Sequence, residues 1–358
     1  MADDRFEMDE DVLDGRSRLP RWATALIALV LVGVVAVLIV VDRHHNRPVA
    51  KPTPAASATS SAPRITQLGA NDIAIDRSTL YVLSASSVYR VDVSDPANPA
   101  PAGYLTLSDF DYTAIGASYH LVLDQAQQRL WVISYGVDPA AVVELDISRP
   151  VLARVRTISV SADVGGAAVL DGHLYLATTQ GVFDITGASR QATQLIAPAG
   201  RYFSVSADPT RHRLAFFGHN GEAQFVTYDP STRKLGAFVA GAPFGRGSLV
   251  VVDATIWAGG YGPHGAVLDR LDPATLRPVA GGPLAAHLGP GAVLVATGTS
   301  DFWVRSGAGG TALWCVDGRT GRALQSWQLS GPITSATGIA FRAQGTQPAR
   351  LPLGACRG

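Results

Sequence analysis

The side chains able to do chemistry in this sequence sit in short loops that recur along residues 65–358. Asp109, Asp111 and Tyr112 stand in SDFDYTAIGAS (108–118), Tyr135 and Asp138 in SYGVDPA, His219 in GHNGE, and Tyr261 and His264 in GGYGPHG. Arg201, Arg246 and His287 occupy further loops of the same kind, as does Asp163. A carboxylate and an imidazole that reach one substrate can pass a proton to and fro. Tyrosines and arginines can stack on a polar ligand and hydrogen-bond it. His219 and His264 fall at nearly equivalent places in adjacent repeats, where they could share a site. Loop Asp, Asn, Gly and Pro are also what turns require, and a lone exposed histidine is more often solvated than a ligand or base. No GxSxG, HExxH or P-loop run occurs, and the glycines at 307, 309 and 310 read as a turn. The set therefore predicts a polar binding rim, with an acid–base pair drawn from Asp109, Asp111, Asp138, His219 or His264 as the alternative.

What must position that rim is a repeat. A short apolar triplet, usually centred on an aromatic, recurs as LYV (80), LWV (130), LYL (174), LAF (214), IWA (256) and FWV (302), at spacings of 50, 44, 40, 42 and 46. Each triplet is followed by a second apolar stretch ending at Asp92, Asp146, Asp184, Asp229, Asp272 or Asp317. A third element precedes each triplet, as in NDIAID (71), YHLVLD (119) and SLVVVD (248), and a fourth comes after the Asp, as in YLTL (104) and ALQSWQL (323). Four short strands in ~40 to 45 residues make one blade of a β-propeller. Alternation puts Leu80 and Val82 in one inter-blade layer and the intervening aromatic in the other. The repeated Asp is a turn former, able to accept a hydrogen bond from the backbone two residues on. Its six copies answer to a structural need.

The expected fold is all-β, a propeller of seven blades with six as the alternative. TGIAF (337) is read as a seventh innermost strand and ARLPLG (349) as a seventh triplet, with RITQL (64–68) completing the last sheet. Cys315 falls in the third strand of the sixth repeat and Cys356 near the end of the chain. An oxidising compartment would let them form a disulfide worth ~3 to 4 kcal/mol in the chain-entropy model. Two buried thiols are the other reading. No CxxC or metal-type spacing accompanies either one.

Ahead of the repeats lies a different kind of sequence. Residues 23–41, ATALIALVLVGVVAVLIVV, carry no charge and nearly span a hydrocarbon core of ~30 Å as a helix. Trp22 marks an interface, and the 22 residues before the span against more than 300 after it predict a signal anchor with its N-terminus in the cytoplasm. The acidic tail (1–22) should be disordered, and the Pro/Ala/Ser/Thr-rich stretch 42–64 should act as an extended spacer. The repeat domain, 65–358, would then lie outside the cytoplasm at the cell membrane. Net charge is zero, and residues 65–358 hold 21 basic against 21 acidic side chains, so nucleic acid is not an expected partner.

ALWCVDGRTGRALQSWQLSG (312–331) and, more loosely, RLDPATLRPVAGGPL (270–284) resemble the repeats of bacterial extracytoplasmic propellers of the YVTN or quinoprotein-like kind, themselves WD40-like. The resemblance extends over residues 65–342 and implies architecture; such propellers serve as enzymes, ligand binders and scaffolds alike. Trp314 and Trp327 do not make up the tryptophan-docking run of the quinone-dependent members, so no cofactor is carried over. The expected role is a membrane-anchored binding or scaffolding module for a protein, peptide or cell-envelope glycan. A cell-envelope hydrolase or lyase, with its site over the channel, is the alternative.

Overall fold

The apolar triplets become the second strand of each sheet because they are bounded by turn formers and rich in β-branched and aromatic residues, which suit a pleated, buried surface. The structure, a computed structural model, describes residues 70–350 with interruptions, the longest at 108–117, 186–192 and 282–292. In the first sheet Ala70–Asp76 (β1), Thr79–Ser84 (β2), Ser87–Asp92 (β3) and Ala100–Thr106 (β4) pair antiparallel in chain order. The second repeats this with Ser118–Asp124 (β5), Arg129–Tyr135 (β6), Ala140–Asp146 (β7) and Ala153–Val160 (β8). The third uses Val164–Leu170 (β9), His173–Thr178 (β10), Gly181–Asp184 (β11) and Thr193–Ile196 (β12).

The fourth sheet holds Arg201–Asp208 (β13), Arg213–Asn220 (β14) and Glu222–Asp229 (β15), and its outer place is divided between Lys234–Leu235 (β16) and Val239–Ala240 (β17), both paired to β15. The fifth runs Arg246–Val252 (β18), Thr255–Gly262 (β19), Gly265–Leu271 (β20), Pro278–Gly281 (β21), and the sixth Val293–Ala296 (β22), Asp301–Ser306 (β23), Ala312–Asp317 (β24), Ala323–Gln328 (β25).

First strands pack side by side in order, β1 on β5, β5 on β9, β9 on β13, β13 on β18 and β18 on β22, which stacks the sheets as blades around an axis. Six sheets are thus full blades. The expectation of seven is not met. After the sixth blade the chain forms a three-stranded sheet, Ile333–Ala336 (β26), Ala340–Ala343 (β27) and Ala349–Arg350 (β28), with β26 beside β1. The register there also differs from the expected one. TGIAF runs into the second strand rather than forming the first, and ARLPLG supplies the third. RITQL, the span 23–41 and the linker lie outside the described residues.

The core is a set of inter-blade layers. Tyr81, Leu83 and Val88 of blade one meet Leu130, Val132 and Val143 of blade two. Trp131 and Ile133 on the other side of blade two meet Leu174 and Leu176 of blade three. The triplet's middle residue therefore faces the next blade, as alternation requires. Trp257 of blade five makes the same contact with blade six, lying 5.4 Å from the Phe302 ring and donating from Nε1 to the Gly318 carbonyl at 2.6 Å.

The repeated acids close turns. Asp92, Asp146, Asp229 and Asp272 each accept the N–H two residues on at 2.8 to 2.9 Å, and Asp317 accepts that of Thr320 at 2.7 Å. Hydroxyl and backbone donors of the same turns favour the ionised carboxyl and hold it below its ordinary value, to about 2 at Asp229, where the Ser231 hydroxyl contributes most. Cys315 is fully buried and disulfide-bonded; Cys356 lies outside the described residues.

Candidate functional site

A polar contact ties the first strands of neighbouring blades together in blades one, four and five, and blades two and three lack it. The position is the one four places before the hairpin pair that joins first and second strands, occupied by Asp72, His120, Gly166, Ser204 and Ser248 in blades one to five. Asp72 Oδ2 accepts the Leu121 N–H at 2.7 Å, Ser204 Oγ that of Leu249 at 3.1 Å, and Ser248 Oγ that of Leu294 at 2.7 Å. Each satisfies a backbone donor on the inner edge of the next blade, which would otherwise be costly to bury. Blade three has glycine instead. A Cβ at Gly166 would lie 3.0 Å from Ser204 Cα, so backbone packs directly on backbone there.

His120 makes no such bond forward. Its Nδ1 turns back to Asp72 Oδ2 at 3.4 Å, and its Nε2 lies 3.1 Å from Ser118 Oγ. Serine and histidine share one side of β5 because they are two residues apart on a strand. The Tyr135 ring packs 4.4 Å from the imidazole and fixes its plane. Burial, reinforced by the Asp72 carboxylate, pushes the Tyr135 phenol well above its ordinary value, so it stays neutral. Exposure falls along the row: Ser118 is open to solvent, the His120 side chain is 32% exposed, and Asp72 is 8% exposed. Next to Tyr135, the Gly136 N–H donates to Asp163 Oδ1 at 2.8 Å, which pins the 135–138 turn to the loop between blades two and three.

No protein-family profile matches the chain, and no curated protein matches it in sequence. Solved structures do match in shape. A chain of Kuenenia stuttgartiensis hydrazine synthase superposes with a TM-score of 0.57 at 11% identity, over 84% of this chain and 99% of that one. A chain of the mitotic checkpoint complex gives 0.57 at 11%, over 84% and 98%. The WD40 β-propeller domain of Doa1 gives 0.56 at 11%, over 80% and 92%. This chain has a β-propeller fold like that of WD40 domains. At such identity the likeness fixes the fold alone.

Within the propeller, the residues singled out from sequence group at one end of the blades. Tyr135 stands opposite Ser118 across β5 and β6, Arg201 opposite His219 across β13 and β14, and Arg246 opposite Tyr261 across β18 and β19. All three pairs lie at the end where first strands begin and second strands end. Asp138 is exposed on the turn beyond Tyr135. It sits in blade two and His219 in blade four, with no hydrogen bond or ion pair joining them, so this acid–base pair is not assembled. Asp109, Asp111, Tyr112, His264 and His287 lie outside the described residues, as do the side chains of Arg246 and Tyr261.

Asp72 and His120 are not among the residues expected from sequence, and Ser118 enters there only as the last residue of the 108–118 loop, because polar residues on innermost strands read as packing. Polar side chains at the stitch position were the available signal. Their meaning depends on which blade lies next to which.

Proposed function

We propose that the chain is a membrane-tethered binding module whose loop face takes a protein partner, with a peptide or cell-envelope glycan as narrower versions of the same role. The observation that supports it is the disposition of Tyr135, Asp138, Arg201 and His219 at one end of the blades, while the repeated turn acids are engaged by the backbone. A rim with aromatic, cationic and anionic groups together on a rigid ring is what a polar partner surface requires. The mitotic checkpoint complex, an assembly, contains a chain of this fold. Residues 23–41 are proposed to anchor the propeller to the cell membrane with its N-terminus in the cytoplasm, in keeping with the bacterial extracytoplasmic propellers its repeats resemble.

The test is capture from cell envelopes after crosslinking, with Arg201→Ala, His219→Ala and Tyr135→Ala combined on the full chain. Loss of the captured partner is expected. Retention of every partner by the triple variant would place the interface elsewhere. For the anchor, removing residues 1–41 should move the protein from the alkali-resistant membrane fraction to the soluble one.

A further inference from the structure

Three histidine–aspartate pairs occur among the described residues, and one differs in what meets the second ring nitrogen. His173 with Asp184 at 3.1 Å and His212 with Asp171 at 3.4 Å lie by the turns between first and second strands, away from the loop face. His120, paired with Asp72, has Ser118 Oγ on its other nitrogen and sits on the loop face beside the 135–138 turn. The tautomer that serves both contacts carries its proton on Nδ1, toward the carboxylate, which leaves Nε2 to accept from the serine hydroxyl. A buried acid, a half-buried imidazole held by an aromatic ring, and an exposed hydroxyl, in that order, are the groups and the gradient that activate a nucleophile.

We propose that Ser118 and His120, oriented by Asp72, form an acyl-transfer site that cleaves carboxylic esters reaching the loop face. His120 takes the Ser118 proton as Oγ attacks the ester carbonyl carbon. The bond to the alcohol then breaks, and the departing oxygen takes the proton from Nε2. A water molecule next gives its proton to His120 and attacks the acyl carbon, and Ser118 leaves and recovers its proton, so no oxidant or reductant is needed. Esters fit better than amides. An alkoxide departs with less help than an amine, which suits an imidazole whose carboxylate stands at 3.4 Å. Ser118 and His120 are the catalytic residues, and Asp72 is a positioning residue. Blade three also lacks the stitch, but its glycine leaves no side chain there, whereas blade two places an imidazole between a carboxylate and a hydroxyl.

The site is separable from partner capture, because it can be read on the purified protein. Full-length chain in mild detergent is treated with a fluorophosphonate probe, digested, and the adduct located by mass spectrometry. An adduct on Ser118 is expected, absent in Ser118→Ala, and formed about 100-fold more slowly in His120→Gln. The native rate should rise through the range in which an imidazole loses its proton, whereas His120→Gln should show no such rise and Asp72→Asn should shift the profile. Labelling no faster than that of urea-unfolded chain, an adduct on another serine, or a His120→Gln rate within twofold of native would overturn the proposal. Should His120→Gln fail to fold, Ser118→Cys carries the test: its iodoacetamide alkylation at neutral pH should exceed that of an exposed cysteine by about tenfold. An ordinary rate there would overturn it too.

Discussion

Replacing Asp208 by alanine should loosen the join between blades four and five more than any surface change nearby. The carboxylate is wholly buried and accepts from Arg211 Nη1 at 3.1 Å, Arg213 Nε at 3.2 Å and the Arg211 N–H at 3.2 Å. Arg211 also donates to the Ala254 carbonyl in the first hairpin of blade five at 2.8 Å, so one acid holds the arginine that bridges the two sheets. Its partners are not equal. Arg211 is 38% exposed, and that pair is worth ~1 kcal/mol or less after solvent screening. Arg213 is only 16% exposed, and stranding its charge costs ~3 to 5 kcal/mol, taken at the low end because its Nη2 is already buried without a hydrogen-bond partner. The expected loss is about 3 kcal/mol, or ~6 °C in Tm for a domain of this size. Asp208→Asn, which keeps the shape and loses the charge, should lose about half as much. Denaturant titration with scanning calorimetry reads both. An Asp208→Ala loss below about 1 kcal/mol would refute the reasoning, since desolvation of the acid would then have cancelled its pairing.

Gly321→Ala should destabilise by ~2 kcal/mol or more on denaturant titration, since φ is +71° and the new Cβ would lie 2.3 Å from Trp257 Cη2. Gly165→Ala should cost ~1 to 3 kcal/mol for a related reason, its Cβ falling 2.8 Å from Phe203 Cα in the next blade. Burial raises the Asp269 carboxyl above 3.8, so the folded state holds its proton more tightly than the unfolded one and stability falls as pH climbs from 3.8 through the raised value. Asp269→Asn should therefore raise Tm at pH 7, and the gain should fade on acidification across that window. Asp229 has the opposite sign: held at about 2, it adds stability above 3.8 that is lost as pH falls toward 2. Asp229→Asn should flatten that part of the pH–Tm curve.

Much of the ring was legible because its signals are local. Leu80-Tyr81-Val82 and Leu130-Trp131-Val132 carry the period-two pattern within three residues, and the turn acids carry their Asx bonds within two or three. Where pattern thins, sequence and structure part. Ile333–Ala336 has one large apolar residue, so the neighbouring TGIAF reads as the better first strand. GAFVA (236–240) has the makings of one outer strand for blade four, yet among the described residues its ladder pairing falls at Val239–Ala240, with Lys234–Leu235 pairing ahead of it, Gly236 donating to the Thr227 carbonyl at 2.8 Å and Phe238 40% exposed. The loop face could be inferred from strand order. Contacts between blades could not, because Asp72 and Leu121 stand 49 residues apart and meet only once the ring has formed.

Repeats also make their exceptions informative. In blades one, four and five the stitch residue is Asp72, Ser204 or Ser248, and each commits an oxygen to the next blade's backbone. Asp72 differs from the two serines in presenting a charge as well as an acceptor at that place. The serines satisfy one N–H and have nothing further to orient. The carboxylate's Oδ1 accepts the Ile73 N–H at 2.9 Å, and Oδ2 both takes the Leu121 N–H and faces the imidazole. A serine there would keep the stitch and lose the hold on His120. A serine at 120 would restore the stitch and remove the base beside Ser118. Blades one and two thus depart in complementary ways, one gaining a charge and the other giving up a backbone bond; blade three gives up that bond too, with glycine, but only the first two departures lie in line with the hydroxyl of Ser118. Adjacent stitch positions are neighbours in the ring and Ser118 lies two residues from His120 on one strand, so what sets this place apart is the chemistry put there, an acid, a base and a hydroxyl in line, as a nucleophile requires.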